Sequence, residues 1–261
     1  SALTNAGAAI TGLVEGEEAL VTATGSQTEV GSSENTYTID WTKAKAGNYL
    51  ISESLGTLLV APSDTDVILV APDAEKLYDG TALTADGNVT AIGLPEGFSI
   101  EAAATGSQTD AGTSANVVND GYVIRNAAGE DRTASFSNVV KVDGNLTVTP
   151  RNIVLTSADA VKEYDGSPLT TAGLENSGIT VGGDGFAQGE GADYTVTGSR
   201  TGIGSSQNTF SYGLWEGMDA GNYIITAAYG TLTVNNRAAE DKPVIEIRSE
   251  SLDALYDGSE H

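Results

Sequence analysis

The chain has 261 residues, of which 36 are acidic and 12 basic, a formal net charge of −24. So acidic a surface repels nucleic-acid phosphates and anionic lipid headgroups, which argues against both as partners and accounts for solubility and mutual repulsion between copies. No run approaches the roughly 18 continuous apolar residues of a membrane span. Hydrophobic residues at 39 % suffice for packed cores and exceed what a disordered chain carries. There is no Cys, and the single His is the last residue, so the sequence offers no Ser-His-Asp triad, Cys-His pair or zinc set. The expectation is a non-enzymatic protein without a cofactor.

In chain order, "GLVEGEEAL" (12–20) has room for one helical turn at most, and no window shows a longer 3.6-residue stripe. "TGSQTEVGSSEN" starts at Thr24 and runs into "NTYTID", which alternates like a strand and is followed by Trp41. "AGNYLISESLGTLLV" (46–60) ends in a strand after a turn glycine, Gly56. "VILV" (67–70) is a buried-strand signal eleven residues before Tyr78, which opens "YDGTALT". "FSIEAAAT" (98–105) leads into a second phrase, "TGSQTDAGTSAN", from Thr105. "SFSNVVKVDGNLTV" (135–148) is a looser match to the 46–60 segment, with Asn138 and Val139 at its Asn-Tyr landmark. "IVLT" (153–156) precedes "YDGSPLT" at Tyr164. A Gly-rich acidic loop, "GGDGFAQGEGAD" (182–193), precedes the third phrase, "TGSRTGIGSSQN", from Thr197. "NTFSYG", Trp215 and "AGNYIITAAYGTLTV" (220–234) follow. "IEIR" (245–248) and "LYDGSEH" close the chain.

The phrases recur every 80 to 92 residues, the size of whole small domains rather than solenoid repeats. The predicted organisation is a first repeat over 1–62 that lacks its opening strand, a second over 63–150, a third over 151–243, and the opening strand of a further repeat over 244–261. The expected class is all-β, as tandem small β-domains in an elongated rod. The lack of a crossing helix favours an immunoglobulin-like sandwich, with a β-grasp-like sheet as the alternative.

The Tyr-Asp-Gly triplets, Tyr78-Asp79-Gly80, Tyr164-Asp165-Gly166 and Tyr256-Asp257-Gly258, read as structural turns. Asp bonds its own backbone, Gly supplies positive φ, and the Tyr ring packs on the core. The three TGS phrases read the same way, with Gly31, Gly112 and Gly204 where a strand turns or bulges. Trp41 and Trp215 each lie seven residues before an Asn (Asn48, Asn222), with Asp131 at that spacing in the middle repeat. They are candidates for packing or for ligand contact. Asp184, Glu190 and Asp193 are a candidate calcium set without EF-hand spacing. Lys76, with Asn145 as partner, is a candidate for a covalent crosslink.

The ordered set "YDGSPLT … TGSQTDAGTSAN … GNYIIT … GTLTV" resembles the MBG/YDG repeat family of bacterial surface proteins over essentially the whole chain. The resemblance implies a Gram-positive, cell-surface-attached or secreted adhesin-like protein, with such modules as stalks and host glycoprotein or mucin glycans as suspected ligands. It supplies no catalytic residues. The alternative is an accessory region of a secreted carbohydrate-active enzyme. "SALT" at the start aligns with "TALT" and "SPLT" after the later Tyr-Asp-Gly triplets, so the chain reads as an internal piece of a longer protein. An opening strand without a body and a body without an opening strand invite head-to-tail strand exchange, besides contacts between neighbouring repeats.

Overall fold

The structure, a computed structural model, describes residues 1–260. They are all-β, and no helical segment among them exceeds four residues. The "GLVEGEEAL" segment contributes one turn, closed by the Glu17 N–H on the Val14 carbonyl at 3.0 Å, with Gly16 at φ +84°. The chain divides into two compact units. One comprises Ser1–Leu77 and Thr81–Thr149, the other Tyr78–Gly80 and the residues from Pro150 on.

In the first unit, β1 (Leu20–Ala23), β2 (Gly31–Asn35), β3 (Tyr37–Asp40) and β4 (Gly56–Val60) form two antiparallel pairs, β1 with β3 and β2 with β4. The second repeat follows with β5 (Val67–Val70), β6 (Ala74–Leu77), β7 (Thr90–Ile92), β8 (Ser99–Glu101), β9 (Ala104–Thr105), β10 (Gly112–Val118), β11 (Val123–Arg125), β12 (Val139–Val142) and β13 (Gly144–Thr149). Its opening segment serves two sheets. β5 lies between β12, parallel, and β7, antiparallel, whereas β6 pairs in parallel with β13 in the sheet β6-β13-β10-β9. The period-two alternation of β5 turns Val67 and Leu69 inward. Both are fully buried, in a cluster with Ala71, Ala104, Ile124 and Phe136.

The second unit repeats this plan with β14 (Arg151–Ser157), β15 (Ala160–Glu163), β16 (Ile179–Gly183), β17 (Ala192–Val196), β18 (Gly204–Gln207), β19 (Phe210–Leu214), β20 (Tyr223–Ala228) and β21 (Thr231–Asn235). β14 lies between β16 and β20, β15 pairs in parallel with β21, and β17 pairs with β19. Ile153 and Leu155 take the inward places of Val67 and Leu69.

The three TGS phrases adopt one conformation. Leu3, Leu83 and Leu169 each form an antiparallel bridge, to Gln27, Gln108 and Arg200 respectively. Gly31, Gly112 and Gly204 have φ of +134°, +149° and +120°, a region that favours glycine. The asparagine ending each phrase then locks the turn. Asn116 Nδ2 donates to the carbonyls of Pro72 (2.9 Å) and Ala85 (2.8 Å). Asn208 Nδ2 donates to the Ala158 carbonyl (2.9 Å) and Thr171 Oγ1 (2.9 Å). Pro72 and Ala158 are where the opening segment crosses from one sheet to the other. Asn35 donates to the Asn5 carbonyl at 2.9 Å, and its repeat has no crossover to hold.

Two sequence expectations are corrected. In the middle repeat the 3₁₀ turn Thr133–Ser135 delivers Phe136, not Val139, to the place that Tyr49 and Tyr223 take after their own 3₁₀ turns. One extra residue before Gly144 hid this alignment. Residues 245–248 form no strand, and Ile245 and Ile247 are 84 % and 89 % exposed. The physical reason is pairing: β5 and β14 each have a strand on either side, and among the described residues no strand pairs with 245–248.

Trp41 and Trp215 report separately on the two units. N208A leaves the Ala158 carbonyl and the Thr171 hydroxyl without their donor and should cost about 2–3 kcal/mol, whereas N35A frees only the Asn5 carbonyl and should cost about 1 kcal/mol. Urea unfolding followed by fluorescence, in W41F and W215F backgrounds, checks both.

Candidate binding groove

The first repeat is built like the others but holds less. Among the described residues its only buried apolar side chains are Ala44 and Leu58. Where the second repeat has β5 and the third has β14, it has a groove of about 390 Å³, lined among others by Ile10, Leu13, Tyr37, Trp41, Tyr49 and Ile51. Residues 8–11 and 49–55, which also line it, correspond to parts of the strands that flank β14. Neither is a strand, and the main chain of 8–13 and of 50–55 makes no hydrogen bond among the described residues. Gly56 shows the same gap. A Cβ at Gly144 or Gly230 would overlap the carbonyl oxygen of Pro72 or Ser157, whereas at Gly56 it would meet only the Asn35 side chain at 4.0 Å.

A tyrosine–glutamate latch stands beside the groove. The Tyr49 hydroxyl donates to Glu17 Oε2 and accepts the Val14 N–H at 3.1 Å. The third repeat has the same latch, with Tyr223 donating to Glu190 and accepting the Ala187 N–H at 3.2 Å. Both glutamates end a turn with glycine at its third position, Gly16 (φ +84°) and Gly189 (φ +83°). In the middle repeat the corresponding turn ends in Phe98, whose ring meets Phe136 edge-on at 5.4 Å. A phenol–carboxylate pair has been exchanged for an apolar pair at one place. The hydrogen bond to Glu17 raises the Tyr49 phenol above its ordinary range, and Glu53, accepting from Tyr37 at 2.6 Å, does the same to Tyr37. Burial first, then the Glu190 hydrogen bond, pushes Tyr223 up to about 12.

The sequence-predicted residues fall as follows. Gly80, Gly166 and Gly258 have φ of +79°, +83° and +85°. Asp165 and Asp257 accept the N–H two residues on, from Ser167 (2.9 Å) and Ser259 (3.0 Å). The Asp165 carboxyl is held well below its usual range by Lys162 and then by the Ser167 amide and hydroxyl. The Tyr rings differ. Tyr78 is buried in the second unit, where it donates to Glu190 Oε1 at 2.8 Å and meets the Tyr223 ring edge-on at 5.7 Å. Tyr164 is half-exposed and Tyr256 is 93 % exposed. The expectation that each ring packs on a core therefore holds for Tyr78 alone, because only Tyr78 meets a latch.

The acidic trio is not assembled. Glu190 belongs to the latch, Asp184 accepts the Asn152 N–H at 2.7 Å, and Asp193 accepts the Trp215 indole N–H at 3.2 Å. Among the described residues no cluster of three acidic or imidazole ligands forms. Trp41 stacks on Tyr49 at 5.7 Å between centroids, whereas Trp215, 46 % exposed, lies over Gly191, where a Cβ would meet its ring at 2.8 Å. Glu18 follows Glu17 as Gly191 follows Glu190, so the first repeat lacks that bare seat. In the middle repeat Asn126, not Asp131, follows the corresponding strand. Lys76 Nζ donates to the Thr81 carbonyl (2.6 Å) and hydroxyl (2.7 Å), and in the β6–β13 ladder Lys76 lies opposite Val148, not Asn145.

Three features went unread in the sequence. They are the glutamate ending the Gly turn of the first and third repeats, the asparagine closing each TGS phrase, and an arginine 73 residues after each tyrosine of the first two triplets. Arg151 donates to the Tyr78 carbonyl at 2.9 Å and Arg237 to the Tyr164 carbonyl at 2.6 Å. Ser63 holds the equivalent place after β4. Comparison with family models, curated proteins and solved structures found no match to the chain.

The Tyr223 proton is held above the ordinary phenol range of about 10, so the folded state binds more protons than the unfolded between about pH 10 and 12. Stability should fall through that window. Y223F should cost about 1–2 kcal/mol at neutral pH through the lost bond to Glu190, and the deficit against the parent should narrow above pH 10. Urea midpoints at pH 8, 10 and 11.5 check this.

Proposed function

We propose that the chain is a tandem-repeat segment of an extracellular stalk, with an adhesive role toward glycans of host glycoprotein or mucin type, and that it carries no catalytic activity of its own. The single observation that carries the reading is that three widely separated TGS phrases fold into one hydrogen-bonded joint, each closed by an asparagine. Repetition of a joint suits a spacer, whose units must be alike, better than an active site, which is normally few per protein. The opening segment that serves two sheets in the second and third repeats supports an immunoglobulin-like sandwich over a β-grasp there. An acidic surface keeps neighbouring stalks apart. The half-exposed Trp215, seated on Gly191 with its N–H on Asp193, is the proposed sugar-stacking face, since an indole offers an apolar plane beside a polar edge.

Two measurements test the two parts. Small-angle scattering of the monomer should give a radius of gyration of about 27 Å, as for a rod of about 95 Å, and not the about 18 Å of a compact chain this long. The compact value overturns the stalk. On an array of mucin-type glycans the protein should retain a subset and W215A should lose it. An array with nothing retained overturns the adhesive role.

A further inference from the structure

We propose that the Trp215 face of the third repeat selects glycans whose stacked sugar carries no acidic group, so that sialic acid and sulfate mask its ligands and their removal unmasks them. The inference rests on the adhesive reading above and names the substrate class of that same face.

One ladder place differs in kind among the three repeats. It lies opposite the residue that follows the latch position, which is Glu17, Phe98 or Glu190. Lys43 holds it in the first repeat, with its N–H on the Glu18 carbonyl at 3.0 Å. Arg125 holds it in the second, opposite Ser99, and Trp215 in the third, with its N–H on the Gly191 carbonyl at 3.1 Å. Each of these side chains meets a carboxylate. Lys43 Nζ lies 2.9 Å from Glu18 Oε1, Arg125 Nη2 lies 2.8 Å from Glu101 Oε2, and the Trp215 indole N–H donates to Asp193 Oδ1 at 3.2 Å.

The fold therefore needs no more at this place than a donor to a surface carboxylate, and an exposed cation supplies it twice. An indole left 46 % exposed keeps apolar surface in water that a cation would not. Its seat differs with it. Where the other repeats have Glu18 and Ser99, the third has Gly191, and a Cβ there would come within 2.8 Å of the ring. An aromatic ring laid over bare main chain, with its other face in water, is a stacking platform.

Hydroxyl-binding groups surround the ring. By the alternation of β17 and β19, Asp193, Thr195, Ser211 and Gly213 share the outward face with Trp215. Gly213 stands opposite Asp193, and a Cβ on it would meet nothing within 4 Å, so the floor beside the indole is open. Beyond it Thr195 and Ser211 stand opposite one another, both exposed. From Trp215 to Ser211 the strand runs about 13 Å, long enough for two linked sugar rings. Asp193 gives one oxygen to the indole and keeps the other as an acceptor for a sugar hydroxyl.

Charge sets the class of sugar. Lys43 and Arg125 neutralise the carboxylates they meet, whereas an indole N–H does not, and Glu216 follows Trp215 directly. Among the described residues no Lys or Arg pairs with Asp193 or lies over the Trp215 ring. The bases of the third repeat are engaged elsewhere. Arg151 donates to the Gly185 carbonyl, Lys162 to Asp165, Arg200 to the Ile203 carbonyl and Arg237 to the Tyr164 carbonyl. A carboxylate or sulfate on the stacked sugar would face Asp193 with no cation between them.

The test is an array of mucin-type glycans in matched pairs, with and without terminal sialic acid or sulfate, probed with the whole chain. At about 50 mM salt the uncharged member of each bound pair should be held about tenfold more tightly, and the gap should close at about 500 mM, where screening acts within a few ångströms. D193N keeps an acceptor for the indole N–H and removes the charge, so it should narrow the gap at low salt. W215R copies the arrangement of Arg125 with Glu101, so it should fold as the parent does and lose retention. Acidic and uncharged members held alike by the parent, a gap that D193N leaves unchanged, or glycans still held by W215R overturn this proposal and leave the adhesive role standing. An array with nothing retained overturns both.

Discussion

The second and third repeats each depend on one buried amide. The asparagine at the end of the TGS phrase reaches two acceptors at once there: the carbonyl where the opening segment leaves one sheet for the other, and an acceptor on the segment after the triplet. A primary amide offers two N–H groups in a fixed fork, so it sets both distances together. Its reach is short, which is why the glycine of the phrase must be bare. A Cβ at Gly106 would lie 3.0 Å from the Asn116 Cα, and at Gly198 one would lie 2.7 Å from the Asn208 Cα. The side-chain oxygens of Asn35, Asn116 and Asn208 are all buried without a conventional partner. At Gly25 and Gly198 that oxygen sits over the glycine Cα, a place where a C–H donor offsets part of the loss. The same compromise made three times marks the joint as the feature the repeats have in common.

Around that joint the repeats vary by matched exchanges. Where a repeat has a tyrosine after its 3₁₀ turn, the facing Gly turn ends in glutamate. Where it has Phe136, the turn ends in Phe98. A phenol facing Phe98 would lose its acceptor, and a glutamate facing Phe136 would bury a charge without a donor, so neither half changes alone at low cost. The arginine after the final strand behaves likewise. Arg151 and Arg237 each hold the carbonyl of the tyrosine 73 residues earlier. Tyr78 carries the logic furthest. Its hydroxyl takes one oxygen of Glu190 while Tyr223 takes the other, so one carboxylate holds two rings.

The all-β class was legible because short alternating runs such as Val67 to Val70 and turn glycines such as Gly80 act locally. So were the turns at Asp165 and Asp257, whose chemistry spans two residues. The partners of those segments were not legible. Nothing in the run "AQGE" tells that Glu190 faces Tyr223 across 33 residues, and nothing in "SSQN" tells that Asn208 holds Ala158 across 50. The middle landmark was misplaced by three residues, since Asn138 imitates the Asn of the other repeats while the backbone puts its 3₁₀ turn at Thr133–Ser135. The acidic loop misled in the opposite way. Asp184, Glu190 and Asp193 are close in sequence, yet a main-chain amide, two phenols and an indole take them one by one.

Strand propensity and strand formation separate cleanly at the end of the chain. Ile245 and Ile247 alternate with Glu246 and Arg248 as well as the residues of β14 do, yet they form no strand, whereas β14 does. The difference is the ladder. β14 gains hydrogen bonds on both edges and buries two large side chains, and that gain offsets the entropy of fixing an extended backbone. Without a ladder the entropy wins, and the isoleucines stay in water. The groove of the first repeat is the same statement read from the other side: residues 49–55 open with Tyr-Leu-Ile where β20 opens with Tyr-Ile-Ile, and they lack its neighbour. A strand here is thus a property of three segments together. Glu246, Arg248 and Glu250 alternate with the apolar residues of this segment, so it presents no long apolar edge.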